Sequence, residues 1–161
     1  MSQTEDLVLA YRILAAHGVV DAYGHVSARS ERDPRRYLLA RAMAPELVTA
    51  DLSFISLELV LPALVACAAP DADFVLLVKP QFEVGKGRVG AGGVVRETTD
   101  RSAAVRRVTA AAGQLGLGVQ GVTASPLPGP AGNVEYFVWL HRGAPPLDED
   151  ELQRAIEEGP S

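Results

Sequence analysis

ELVTADLSFISLELVLPALVACAAPDADFVLLVKPQFE, residues 46–83, decides the fold. Leu47-Val48-Thr49-Ala50 reads as a strand that ends at Asp51. Ser56 is placed to cap a helix running through Cys67, and that helix is apolar almost all round, as expected of one packed on a sheet. Pro62 must kink it or lie in its first regular turn, because proline has no N–H to donate. Phe74-Val75-Leu76-Leu77-Val78 is then a continuous apolar run, the texture of a strand buried on both faces, with Lys79 at its end. Strand, helix and strand in that order predict a parallel sheet covered by helices.

Working outward, a glycine-rich loop leads to a predicted helix from Asp100 to Leu115. Val105, Val108, Ala112 and Leu115 share its inner face, with Arg101, Arg106 and Arg107 outside. Leu117 to Ala124 and Val134 to His141 read as two more strands, joined by Ser-Pro-Leu-Pro-Gly-Pro, which cannot be helical. A last helix starts at Asp148, with Glu151 completing a capping pair. Toward the N-terminus, residues 4–17 read as an amphipathic helix capped by Thr4 and ended by Gly18, with Leu7, Ala10, Tyr11 and Leu14 on one face. Tyr23 to Arg29 and Tyr37-Leu38-Leu39, separated by a turn at Asp33-Pro34, predict a hairpin.

The chain has 161 residues, a formal charge of −5 and no apolar run near the roughly 18 residues that cross a bilayer. We expect no membrane partner and a cytoplasmic location. The acidic balance argues against autonomous polyanion binding, so any RNA contact must be local. Arg29, Arg32, Arg35, Arg36 and Arg41 cluster around Tyr37, but Glu31 and Asp33 dilute them into what reads as a solvated loop. Cys67 is alone and reads as a buried structural thiol. His17, His25 and His141 show no metal-ligand spacing, so no metal is expected. Gly85-Lys86-Gly87-Arg88-Val89-Gly90 fits G-x-G-x-x-G, yet it stands too far ahead of the next helix to open it as a nucleotide fingerprint must.

Polar residues at the carboxyl ends of strands are the natural site candidates in such sheets, and Asp51 and Lys79 both lie there. On the residues alone, a salt bridge from Lys79 to Asp51 or Glu135 is the favoured reading. The words ADLSFISLELVLPAL, LLVKPQFEVGKGRVGAGGVVR, ASPLPGPAGNVEYFVWL and RGAPPLDEDEL, however, come in the order of motifs in TlyA-type (hemolysin A-like) ribosomal RNA methyltransferases, and from about residue 46 the chain resembles that family. The resemblance implies a partial Rossmann-like, FtsJ-like α/β sheet holding later strands and helices only, preceded by the helix-hairpin segment. It further implies S-adenosylmethionine as cofactor, ribosomal RNA or a ribosomal subunit as partner, and methylation of ribose 2′-hydroxyls. Such enzymes use a Lys-Asp-Lys-Glu tetrad, and by motif match Asp51, Lys79 and Glu135 are its aspartate, second lysine and glutamate. The first lysine, the glycine-rich donor loop and the basic RNA-binding domain find no match in residues 1–46.

The opening stretch, YRILAAHGVVDAYGHVSARS followed by RYLLARAMAPELVT, resembles instead the start of the class II aldolase/adducin family, over about the first 49 residues. The expected domains are therefore 1–46 and 47–161, a chimera with a crossover in the shared word ELVT and weak or absent activity. A noncatalytic oligomerising or RNA-associating remnant and a sugar-phosphate lyase stay open as alternatives. The strand ending at Asp51 is expected to have a bare edge, to be covered by the hairpin or by a second copy in a homo-oligomer.

Overall fold

The computed structural model describes Leu9, Ala10, Ile13, residues 27–29, residues 37–39 and residues 45–160. The chain divides into two compact units, Met1–Ala44 and Pro45–Ser161. In the first, Leu9, Ala10 and Ile13 are helical, and β1 (Ser27–Arg29) pairs antiparallel with β2 (Tyr37–Leu39). Thr4, Gly18, the Asp33-Pro34 turn, His17 and His25 lie outside the described residues, as do the side chains of the arginine cluster around Tyr37.

The second unit is a mixed α/β sheet. Its elements are β3 (Leu47–Ala50), α1 (Leu57–Cys67), β4 (Asp73–Val78), α2 (Pro80–Glu83), α3 (Thr98–Gln114), β5 (Leu117–Ala124), β6 (Tyr136–Arg142) and α4 (Glu149–Glu158). The strand order is β3-β4-β6-β5. β3 and β4 are parallel, as the crossover through α1 requires. β6 runs antiparallel to both neighbours, which departs from the parallel sheet expected from the strand-helix alternation. The reason is the β5–β6 connection, which holds no helix and turns the chain back against the strand it has just left. The sheet is irregular between Val119 and Gly121, where the pairing to β6 shifts register.

One face of the sheet carries the core. Phe74, Leu76 and Val78 align with Leu140, Val138 and Tyr136, and these pack with Val105, Val108 and Ala112 of α3, Leu152 and Ile156 of α4, and Leu57 and Leu61 of α1. The other face is less covered: Val75 and Phe137 are half-buried, and Trp139 is 47% exposed, its indole N–H donating to Asp73 Oδ1 at 2.7 Å. The apolar run of β4 is thus not buried throughout. Cys67 is exposed, contrary to the buried thiol expected. It lies six positions past Leu61 on a helix of about 3.6 residues per turn, well round from the buried Leu57–Leu61 stripe, and Leu59 is likewise exposed. Pro62 sits inside α1.

Capping explains two other boundaries. Asp148 Oδ1 accepts from the backbone N–H of Asp150 (2.8 Å) and Glu151 (3.2 Å), as expected of an N-cap. The Glu151 carboxylate accepts instead from Val122 N–H of β5, so the reciprocal half of the capping box gives way to a tie between α4 and the sheet. No helix among the described residues is long and apolar enough to cross a membrane.

Candidate active site

β3 and β4 run side by side and end together, which brings Asp51 and Lys79 to one rim of the sheet. β6 runs the other way, so its start, just after Glu135, falls at that same rim: Val78 pairs with Tyr136. Antiparallel β6 is therefore what brings the third candidate to the first two. Lys79 Nζ lies 2.5 Å from Asp51 Oδ1 and 4.0 Å from Glu135 Oε1, and it donates to Ser53 Oγ at 3.4 Å. The three side chains differ in solvation: Asp51 is 69% exposed, Lys79 11% and Glu135 7%. The ion pair expected from the residues alone is present, and the three motif-matched residues meet at one point.

Lys79 precedes α2, whose first residue, Pro80, suits a helix start because its missing N–H would have been unpaired there anyway. One turn of helix then sends Gln81 toward Glu135, donating from Nε2 to Oε1 at 3.2 Å. Glu83 turns the other way and is buried, accepting from Ser56 Oγ at 2.6 Å and from Leu57 N–H at 2.8 Å. The glutamate of VKPQFE therefore closes the N-terminus of α1 and holds the β3–α1 loop against α2. That loop carries Phe54, which is 91% exposed with φ at +65° and packs on Phe82 with ring centroids 5.1 Å apart. A cavity of about 500 Å³ opens beside it, lined by Phe54, Phe82, Gln81, Gly85, Gly90 and Gly93 among others.

The glycine-rich stretch forms two short turns, Lys86–Arg88 and Ala91–Gly93, and α3 starts only at Thr98. Its glycines do not open a helix. Buried Asn133 fixes the end of the stretch, accepting from Val95 N–H and donating to Gly93 O, both at 2.9 Å. Gly129 is pressed against the site: a Cβ there would lie 2.6 Å from Glu135 Oε1. Ser53, Gln81, Gly129 and Asn133 were not singled out from the sequence, because their partners come from other segments of the chain and no local pattern marks them.

A methyl donor is the group that such a site would require. Among the described residues no glycine-rich loop opens a helix at the end of a first strand, so they do not by themselves fit S-adenosylmethionine. What they offer is one amine held by carboxylates at the rim of the sheet, with Gln81 reaching from the neighbouring cavity to Glu135.

A model of the FtsJ-like methyltransferase family matches residues 12–142. The 16S/23S rRNA (cytidine-2'-O)-methyltransferase TlyA of Mycobacterium tuberculosis is 52% identical over 165 residues, covering 91% of this chain and 61% of that protein. Hemolysin A of Brachyspira hyodysenteriae is 32% identical over 93 residues, covering 58% of this chain and 39% of that one. A solved structure of a hemolysin-like protein from Lactococcus lactis superposes with a TM-score of 0.67 at 35% identity, over 72% of this chain and 56% of that chain. This chain thus spans about 61% of the length of its mycobacterial relative. The family match runs back across residue 46 to residue 12, so most of the tract that resembles the opening of the aldolase/adducin family falls inside it, and that resemblance is not supported. By this match, over a sheet that carries the motif words in their expected order, the chain belongs to the FtsJ-like methyltransferase family.

Proposed function

We propose that this chain carries the hydroxyl-activating side of a ribosomal RNA ribose 2′-O-methyltransferase site, with Asp51, Lys79 and Glu135 as its catalytic residues. The observation that carries this reading is Lys79 Nζ standing between Asp51 and a buried Glu135 at the rim of the sheet. The ion-paired Lys79 first passes a proton to solvent by way of exposed Asp51, and a ribose hydroxyl seated beside it then gives up its proton to Nζ as its oxygen attacks: the O–H bond breaks and an N–H bond forms. Asp51 and Glu135, both facing Nζ, stabilise the ammonium that re-forms. S-adenosylmethionine, which the family implies, would supply the methyl group when bound. The mycobacterial relative's name supports ribosomal RNA as the substrate and, with it, a cytoplasmic location.

Calorimetry with S-adenosylmethionine and transfer of tritiated methyl to ribosomal subunits test the reading. Transfer by the chain alone is expected to be weak, because the described residues form no donor cradle, and Lys79→Met should lower it by on the order of 100-fold or more. No transfer, or transfer that Lys79→Met leaves intact, would sink it. The absence of a donor cradle among the described residues favours a second reading, a noncatalytic RNA-associating or self-associating remnant, and micromolar donor binding would exclude it.

A further inference from the structure

We infer that Gln81 is a positioning residue that acts through Glu135, a role that rests on the catalytic reading of Glu135 above. Glu135 is nearly sealed from solvent, and among the described residues one hydrogen bond holds its carboxylate, the 3.2 Å bond from Gln81 Nε2. Lys79 Nζ, at 4.0 Å, attracts it but is too far to fix its orientation. Behind the carboxylate, the bare Cα of Gly129 leaves room for Oε1 where a Cβ would stand 2.6 Å away. The carboxylate is therefore placed by a donor on one side and a glycine on the other.

The amide's orientation follows from chemistry. A carboxylate only accepts, so Gln81 must turn its NH₂ toward it, which sends Oε1 into a buried position with no hydrogen-bond partner among the described residues. A buried acceptor without a donor is disfavoured, and packing alone would be served better by Leu or Met at this position. The hydrogen bond to Glu135 accounts for the amide. α2 thus sets two members of the site at once: Lys79 precedes its first residue and faces Asp51, and Gln81 is its second and faces Glu135.

The test is a double-mutant cycle in the whole chain with Gln81→Met, Glu135→Gln and the double variant. Urea unfolding, the ¹³C resonance of the Glu135 carboxyl and methyl transfer to ribosomal subunits are the readouts. Met fills the space of Gln without a donor. We expect the two substitutions to be non-additive in unfolding and the Glu135 resonance to move in Gln81→Met. Transfer should fall on the order of 100-fold in kcat with KM for subunits unchanged. Gly129→Ala, which keeps Gln81 but crowds the carboxylate, should move the same resonance and leave Gln81→Met little further effect. Additive unfolding effects, or a Glu135 resonance that Gln81→Met leaves in place, overturn the inference. Transfer that survives Gln81→Met within twofold overturns it while leaving the catalytic reading intact. A chain that transfers no methyl overturns the catalytic reading, and Gln81's hold on Glu135 then stands or falls on unfolding and resonance alone.

Discussion

Tyr136 sits one residue beyond Glu135, at the centre of the core, and its hydroxyl is buried beside Arg101 with no hydrogen bond of good geometry among the described residues. Burial pushes its phenol above the ordinary tyrosine range, against a smaller lowering by Arg101. The raised value means that the neutral form is the one the native state favours. Stability is full below the unfolded phenol's pKa, about 10, and is lost as pH rises through the folded value. Tyr136→Phe removes both the buried hydroxyl and this titration. It should raise stability at pH 7 by about 1 kcal/mol, with the gap over the unaltered protein widening above pH ~10, as urea unfolding across pH would show. A destabilised Phe variant would mean that the hydroxyl has a partner. At this scale the site was half legible: Asp51, Lys79 and Glu135 stand out in the sequence because polar residues at strand ends and in motif words are visible one at a time. Gln81 and Gly129 are not, because each matters only through Glu135, and that meeting is set by tertiary packing.

Helices and strands repeat the contrast between local and distant causes. β5 has the bounds expected, Leu117–Ala124, and Gly116, with φ at +81°, punctuates its start. α3 begins at Thr98 rather than Asp100, since its N-cap, Glu97, makes no side-chain bond that would mark the boundary. β6 begins at Tyr136 rather than Val134, because Asn133 and Glu135 are spent on the glycine-rich loop and on Gln81. Apolar alternation reads the same both ways along a strand, so the reversed direction of β6 is legible only in the non-helical β5–β6 connection, against the parallel sheet that the strand-helix order predicts. α1 depends on a remote residue in a way that can be measured. Ser56 is its cap, as the sequence predicts, with Oγ accepting from Glu58 N–H at 3.2 Å. The stronger contacts are those of buried Glu83 to Ser56 Oγ and Leu57 N–H. Glu83→Ala leaves a buried N–H unpaired and removes a negative charge from a helix N-terminus, so it should cost about 2–3 kcal/mol in urea unfolding. Glu83→Gln keeps an acceptor and should cost less. Equal losses in the two variants would show that the carboxylate's charge, rather than its hydrogen bonds, closes the helix.

At the scale of the whole second unit, the sheet ends in a strand with one unpaired edge among the described residues. β3 ends the strand order, and among the described residues no strand pairs with its outer edge. Leu47 on that strand is 50% exposed, and the opposite end of the sheet is closed no better than by β5. An edge strand presents a row of backbone donors and acceptors that water satisfies but another strand satisfies with less solvent exposure. Natural edges are usually blunted by lysine or proline, and Leu47-Val48-Thr49-Ala50 contains neither. A chain with this edge should self-associate through β3 as its concentration rises into the micromolar range, giving masses at or above twice 17.0 kDa by light scattering. Leu47→Lys places a charge on the exposed side of the strand and should return the protein to monomer, with unfolding little changed because the replaced side chain is not in the core. A monomer at all concentrations, with the backbone amides of residues 47–50 protected from hydrogen exchange on both edges, would show that the strand is already paired within one chain.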